Sequence, residues 1–267
     1  MALPATKDRG PGLLYIVAAI VVVAVAAARF LGFAPGSDTG QPGDRTRTEQ
    51  PAPDGGRRQE GIVPRPSDMT QVLVYHTHTT ENYSPKGPTE SDGPGDVVAV
   101  GRALVRALKS QGVEAVHIMT VHDLPRWNEA FSRARQSVQR ELDRSDGIQV
   151  LIDVHRDAVP GESRDGFATV TVNGRPVARI LLVVGSANNS RASENVRFAT
   201  LLQEQLEALA PGITRGVRLL DHESTGDLHP NTVTAYVGDY RDNTLEEAER
   251  AAEFLAEAIA HVLSESG

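Results

Sequence analysis

The chain has 267 residues, 40% of them hydrophobic and 23% charged, which is enough apolar material for a sizeable core without disulfide bonds. It contains no cysteine, which excludes cysteine nucleophiles and cysteine-bound zinc. The first 68 residues carry a net charge of +1 and the remainder −9. Because phosphate binding needs a basic surface, we expect no nucleic-acid partner.

Residues 13–33 are predicted to form a transmembrane helix, since the segment is apolar apart from Arg29. About 20 residues span a bilayer, and an arginine near one end can extend its charge to the interface. Lys7 and Arg9 precede the segment, so the N-terminus is expected in the cytoplasm and the rest of the chain outside. A cleaved signal peptide is the alternative, because residues 26–28 are small.

Residues 34–68 are predicted to form a disordered tether. They are rich in Pro, Gly, Asp, Arg and Thr, show no periodicity and contain few large apolar side chains. Such a segment cannot bury enough surface to offset the entropy lost on ordering. The chain is therefore divided into a membrane anchor (1–33), a tether (34–68) and an extracytoplasmic domain (69–267).

From residue 69 onward, strand-like and helix-like patterns alternate. The predicted strands cover residues 71–75, 113–118, 148–154, 168–172, 177–184, 217–220 and 232–237. The predicted helices cover residues 96–111, 126–144, 194–209 and 244–264. The pair Asn173 and Gly174 indicates a hairpin, and Thr244 with Glu247 indicates a capping box. This order predicts an α/β fold with a mostly parallel central sheet flanked by helices.

Two polar clusters follow predicted strands. The first cluster contains His76, His78 and Glu81, and the second contains Asp153, His155, Arg156 and Asp157 at the end of the third strand. Sites in such sheets lie beyond the carboxyl ends of the strands, and imidazoles with a carboxylate are the ligands of hydrolytic zinc sites. Incidental surface histidines are the alternative interpretation. No G-x-S-x-G motif is present, which argues against a serine hydrolase of the α/β class.

The motifs resemble the stage II sporulation protein P family. The segments that carry the resemblance, in the family's order over residues 69–264, include YHTHTTENY, HDLPRWNEAF, DVHRDA, ENVRFATLL, GDLHPNTV and NTLEEAE. The resemblance implies a fold like that of the zinc-dependent N-acetylmuramoyl-L-alanine amidases, which cleave the bond joining glycan to stem peptide. It also implies crosslink endopeptidase activity, and action on septal peptidoglycan during engulfment beside a lytic transglycosylase and a membrane-protein partner.

The resemblance also carries over a ligand set. His76, Glu81 and His155 match best as the zinc ligands of the family. Two alternatives stay open, because His78 could replace His76 and Glu90 could replace Glu81. His76 and His78 lie two residues apart and would share one face of a strand, so either could reach the same ion.

One departure from the family pattern affects catalysis. The family has a strand resembling I-E-V-G, whose Glu is the expected general base, whereas this chain reads TAYVGD with Tyr236 at that position. Tyr236 and Arg156 are the candidate catalytic residues. Four nearby acids could substitute for the missing base: Glu223, Asp227, Asp239 and Asp242. A wall-binding or scaffold protein that has kept the fold but lost catalysis is therefore the alternative function.

Overall fold

The computed structural model describes residues 71–160 and 166–265. The predicted membrane helix (13–33) and tether (34–68) lie outside these ranges. Within them, no helix combines the length and the apolar character needed to cross a bilayer.

A six-stranded sheet forms the centre of the domain, in the order β2-β1-β3-β8-β6-β7. All neighbouring strands are parallel except β6 and β8, so the sheet is mostly parallel, as the alternation of patterns predicted. Strands β4 and β5 form a separate antiparallel hairpin. The eight strands are β1 (Val72–Tyr75), β2 (Ala115–His117), β3 (Val150–Asp157), β4 (Thr169–Val172), β5 (Arg175–Ala178), β6 (Ile180–Ala187), β7 (Thr214–Glu223) and β8 (Thr232–Asp239).

Four helices cover the sheet unequally: α1 (Val97–Ser110), α2 (Ala130–Leu142), α3 (Ala192–Leu209) and α4 (Leu245–Glu265). Helices α1, α3 and α4 share one large apolar core with the first face of the sheet. Helix α2 packs on the second face, in a smaller cluster that includes Leu73, Tyr75 and Leu151 of β1 and β3. The second face of β3 and β8 lies beside that cluster, and the candidate site is there.

Two local signals in the sequence are confirmed. Asn173 and Gly174 both have positive φ, 51° and 76°, which is the backbone of the tight turn that joins β4 to β5. Helix α4 begins with the predicted capping box. The Thr244 amide donates to Glu247 Oε2 at 3.0 Å, and the Glu247 amide donates to Thr244 Oγ1 at 3.4 Å.

Several elements differ from their predicted extents, among them β7, which covers Thr214–Glu223 instead of residues 217–220. Strand β3 continues to Asp157 instead of ending at residue 154, because the polar side chains that follow find buried partners. The predicted strand 177–184 is two strands that separate at Arg179, whose guanidinium donates to the carbonyls of Gly212 and Thr214 at 2.8 and 2.7 Å. A 3-10 turn (Trp127–Glu129) precedes α2, so that helix begins later than predicted.

Candidate active site

The candidate site lies on the second face of the sheet, beside the cluster under α2. Asp153 and His155 alternate along β3 with Val154, which belongs to the core on the first face. Thr234 and Tyr236 of β8 line the same groove as Asp153 and His155. The site therefore occupies the face of β3 and β8 as well as the end of β1, and does not lie only beyond the strand ends.

Two side chains that line this groove, His78 and His155, form a cluster of metal-ligand spacing with the buried Glu81. His78, Glu81 and His155 each offer a ligand atom, and these atoms all lie within 4.8 Å of one another. Glu81 and His155 are buried, and His78 is partly exposed. His155 Nδ1 is 3.1 Å from Glu81 Oε2. Two of the three ligands carried over from the family, Glu81 and His155, are therefore brought together by the fold.

Asp153 holds the other side of the His155 ring. His155 Nε2 is 3.1 Å from Asp153 Oδ1. The carboxylate of Asp153 is itself fixed by Thr77, whose amide donates at 2.8 Å and whose hydroxyl donates at 2.6 Å. A carboxylate on the far nitrogen of a histidine is the arrangement that orients metal-binding imidazoles. The sequence signal for Asp153 is its position two residues before His155 on one strand.

His76 lies outside this cluster, although its sequence position matched the family best. Its Nδ1 is 2.8 Å from the Val154 carbonyl oxygen, and its Nε2 is 2.8 Å from His117 Nε2. Burial, followed by the neighbouring His117, lowers the pKa of His76 to about 3, so the ring is neutral. His76 thus links β1 to β2 and β3, and the structure brings His78 to Glu81 and His155 instead.

The second alternative, Glu90, also stands apart from the cluster. Its Oε1 accepts a hydrogen bond from Asn82 Nδ2 at 3.1 Å and lies 3.7 Å from Lys86 Nζ. Glu81, in contrast, is buried against His155. Among the described acids, Glu81 is therefore the carboxylate of the cluster.

Arg156 positions Glu81 and does not line the groove. Its amide donates to Glu81 Oε2 at 3.2 Å, and its Nη1 lies 3.4 Å from Glu81 Oε1. Its Nη2 donates to the Pro88 carbonyl at 2.8 Å. Burial alone would raise the pKa of Glu81, but His155 and then Arg156 outweigh it and hold the pKa below its ordinary value. Arg156 therefore keeps Glu81 ionised and oriented.

Trp127 forms one wall of the groove and was not singled out from the sequence. Its ring is stacked on His78, with the centroids 3.7 Å apart and the planes 4° from parallel. It remains 52% exposed, so the ring is available to a ligand in the groove. The cavity has a volume of about 190 Å³. The available signal was that Trp127 is the one tryptophan of the chain, at the start of the predicted helix 126–144.

Tyr236 faces the cluster directly. Its ring centroid is 5.4 Å from that of His155, and it lines the groove. Burial raises the pKa of Tyr236 above its ordinary value, so the hydroxyl stays protonated at neutral pH. A protonated phenol can donate a hydrogen bond but is a poor base.

Only one of the four proposed substitute acids lines this groove among the residues that the structure describes, and it is Glu223 at the end of β7. Asp227 forms a two-pronged ion pair with Arg135, at 2.6 and 2.7 Å. Asp239 is buried, where it accepts from the amides of Val159 and Arg241. Asp242 does not line the groove.

The donor set suits a divalent metal such as zinc. Two buried carboxylates, Glu81 and Asp153, face opposite nitrogens of His155. Burial alone would lower the pKa of His155, but Asp153 and Glu81 raise it well above its ordinary value, so a metal that binds this ring must displace a proton from it. Burial and His155 lower the pKa of His78 to about 4, which keeps that ring in the neutral form that binds metals.

Comparison with solved structures finds several chains whose main chain follows a similar path at low sequence identity. The CwlD amidase from Clostridioides difficile, in complex with the GerS lipoprotein, is 13% identical with a TM-score of 0.48, over 73% of this chain and 98% of that one. The catalytic domain of CwlV, an N-acetylmuramoyl-L-alanine amidase from Bacillus (Paenibacillus) polymyxa var. colistinus, is 14% identical with a TM-score of 0.45, over 73% and 99%. A metallo-carboxypeptidase from Burkholderia cenocepacia is 8% identical with a TM-score of 0.44, over 79% and 60%.

Comparison of sequences identifies a family. The sequence profile of stage II sporulation protein P matches residues 37–260. The protein of that name from Bacillus subtilis (strain 168) is 31% identical over 216 residues, which cover 74% of this chain and 51% of the relative. The chain thus spans about half the length of this curated relative. The match includes most of the chain and all three residues of the cluster, and the chain belongs to the stage II sporulation protein P family.

Proposed function

We propose that the domain is a zinc-dependent peptidoglycan hydrolase of sporulation, which cleaves the amide bond between N-acetylmuramic acid and L-alanine. The observation that carries this proposal is the cluster of His78, Glu81 and His155 at the floor of an open groove. Membership of the family agrees with it. Cleavage of peptide crosslinks is a further activity that the same site could support.

His78, Glu81 and His155 would hold the zinc ion. When bound, zinc with an open position lowers the pKa of a water molecule to about 7 and polarises the carbonyl under attack. Asp153 and Arg156 keep two of these ligands in place, because Asp153 fixes the His155 ring and Arg156 fixes the Glu81 carboxylate. Fixing the ligands before substrate binds avoids the cost of ordering them during the reaction.

The groove wall would bind and orient the substrate. The exposed ring of Trp127 offers a flat apolar surface next to His78, on which a sugar ring or an apolar side chain can pack. Tyr236 would donate a hydrogen bond to the oxygen that gains negative charge. Glu223, at the end of β7, lines the groove and could accept a proton.

A second candidate function follows from Tyr236, which occupies the position where the family has a glutamate. General acid–base catalysis contributes about 10²–10⁴-fold, so a site without its base hydrolyses slowly. In the extreme case the domain binds wall glycopeptide as a scaffold without cleaving it. The ligand cluster favours the hydrolase, since a scaffold does not need a metal centre.

The experiment that separates these functions is wall solubilisation by the zinc-loaded full chain and by Tyr236→Glu. We expect measurable solubilisation by the unaltered chain, and an increase of about tenfold or more in the variant, because a carboxylate restores the base. Glu223→Gln should lower the rate of the unaltered chain. Absence of solubilisation in both proteins, with zinc bound, would favour the scaffold. If the unaltered chain already matched a fully active zinc amidase, the site would not be impaired.

The setting of the activity is also a proposal. We propose that residues 13–33 anchor the chain in the cell membrane and that residues 34–68 let the domain reach the septal wall from there. A lytic transglycosylase and a membrane protein of sporulation are the proposed partners. Such a tether confines the hydrolase to the wall next to the membrane, so that hydrolysis would follow the membrane during engulfment.

A further inference from the structure

A second cavity, of about 380 Å³, lies where β3 ends and β7 begins. Among the described residues, its charged lining consists of Arg179, Arg215 and Arg218 with a single carboxylate, Asp157. This excess of positive charge stands out, because the domain as a whole is acidic. A concave surface of one charge raises the local concentration of ions of the opposite charge.

Arg215 is the buried centre of this cavity. Its side chain is only 6% exposed, its Nη1 donates to Asp157 Oδ2 at 2.8 Å, and its guanidinium lies 4.9 Å from the Phe167 ring. Its other nitrogens, Nε and Nη2, are buried and have no hydrogen-bond partner in the described part of the chain. Unsatisfied donors on a buried cation are costly, so this side chain is suited to a ligand that completes its bonds.

The two neighbouring arginines, Arg179 and Arg218, add to the positive charge of the cavity. Arg179 directs its donors to main-chain carbonyls, those of Gly166, Gly212 and Thr214, and its charge contributes to lowering the pKa of the nearby Glu207 carboxylate. Arg218 is exposed at the cavity mouth. Asp157, the one acid among the described lining residues, is already bonded to Arg215. A further anion is therefore attracted to the cavity.

The free edge of Arg215 indicates the chemistry of that anion. Nε–H and one N–H of Nη2 point the same way from one edge of the planar guanidinium. Two parallel N–H groups match the two oxygens of a carboxylate, or two oxygens of a phosphate, and such paired charged hydrogen bonds are among the strongest in proteins. The Phe167 ring lies 4.9 Å from the guanidinium carbon, and the two nitrogens of that edge are buried without a partner among the described residues.

The cavity lies next to the candidate active site. Asp157 is two residues beyond His155 on β3, about 7 Å along the strand. On β8, Tyr236 lies opposite His155 of β3 and opposite Leu181 of β6, and Leu181 lines the basic cavity, so this tyrosine lies between the metal cluster and the cavity. A substrate whose scissile bond lies at the cluster can therefore extend into the cavity.

We propose that Arg215 binds a carboxylate on the peptide part of the wall substrate. This inference rests on the proposed function, and it names the group that distinguishes the peptide end of the substrate from the glycan end. The pairing fixes the direction in which the peptide lies along β3. Phosphate groups, which carry the same oxygen pair, are the other source of the anion, and the test below distinguishes the two.

The test uses the full chain with its metal removed by a chelator, so that no hydrolysis occurs during a calorimetric titration. The ligands are a soluble disaccharide-peptide from wall with free peptide carboxyls, and the same compound with those carboxyls converted to amides. The unaltered chain should bind the free form about tenfold or more tightly, as expected for a paired charged interaction. Arg215→Lys keeps the charge but loses the paired edge, and should lose this preference. Arg144→Lys, an exposed control on another surface, should keep it.

Equal binding of the two ligands by the unaltered chain would overturn the inference and leave the proposed function standing. Failure to bind either ligand would count against the proposed function itself. If the ligands bind equally but inorganic phosphate binds in an Arg215-dependent manner, the occupant is a phosphate group and the peptide assignment is wrong. The comparison of ligands needs only the unaltered protein, so it decides the question even if Arg215→Lys fails to fold.

Discussion

At the scale of single residues, two histidines with almost the same sequence position have different environments. His76 is fully buried between a carbonyl of β3 and the His117 ring, whereas His78 opens to the groove beside Trp127. The sequence predicted a histidine–glutamate–histidine site but could not choose between them, because both have the spacing of one strand face. His78 and not His76 reaches the cluster because β1 ends at Tyr75 and the chain turns there. The spacing of the histidines in the sequence did not predict this turn.

This difference predicts opposite effects of two substitutions. His78→Ala should fold normally and lose at least tenfold in zinc affinity, since removal of partners outside the ligand shell alone typically costs about 10–100-fold. His76→Ala should keep the zinc site but lose about 1–3 kcal/mol of stability, because a buried carbonyl and a buried ring lose their partner. Metal analysis and thermal unfolding of both variants measure these effects. Zinc loss confined to His76→Ala would assign His76 as the ligand.

At the scale of secondary-structure elements, most of the architecture could be predicted from periodicity, caps and turn residues. The hairpin at Asn173 and the capping box at Thr244 are local signals, and both are confirmed. The end of β3 could not be predicted. His155 and Arg156 look like loop residues until Glu81 is placed opposite them by the tertiary fold.

Helix α1 approaches the sheet closely at Gly101, and this contact supports the histidine pair of β1 and β2. A Cβ added to Gly101 would lie 2.5 Å from His117 Nε2 and 2.7 Å from His76 Nε2. Alanine in a helix gains up to about 1 kcal/mol over glycine, but the overlap with rings held in place costs about 1–3 kcal/mol. The contact with the two histidines therefore determines whether alanine at position 101 raises or lowers the stability of the domain.

We expect Gly101→Ala to destabilise the domain by about 1–2 kcal/mol in chemical denaturation. Gly87→Ala is the matched control, because its added Cβ would meet nothing within 4 Å, and it should stay within about 0.5 kcal/mol of the unaltered protein. If Gly101→Ala were as stable as the control or more stable, the close packing of α1 on the two histidines would not hold.

At the scale of the whole molecule, the proposed arrangement is an anchored hydrolase whose domain faces the wall. Lys7 and Arg9 precede the apolar segment 13–33, which favours a cytoplasmic N-terminus. Protease added to intact protoplasts should therefore remove the domain from the cell surface. Protection of the domain until the membrane is opened would reverse the orientation. A soluble product cleaved after Ala28 would show a signal peptide in place of the anchor.

The central claim is that the cluster of His78, Glu81 and His155 binds zinc and hydrolyses the muramoyl–L-alanine amide. The measurement that tests it most directly is the appearance of new L-alanine amino termini in purified peptidoglycan incubated with the zinc-loaded full chain. New L-alanine termini should appear with the unaltered chain, disappear on chelation, return with added zinc, and be absent with His155→Ala. Unchanged amino termini with zinc bound, or release that persists in the chelated protein and in His155→Ala, would contradict the account.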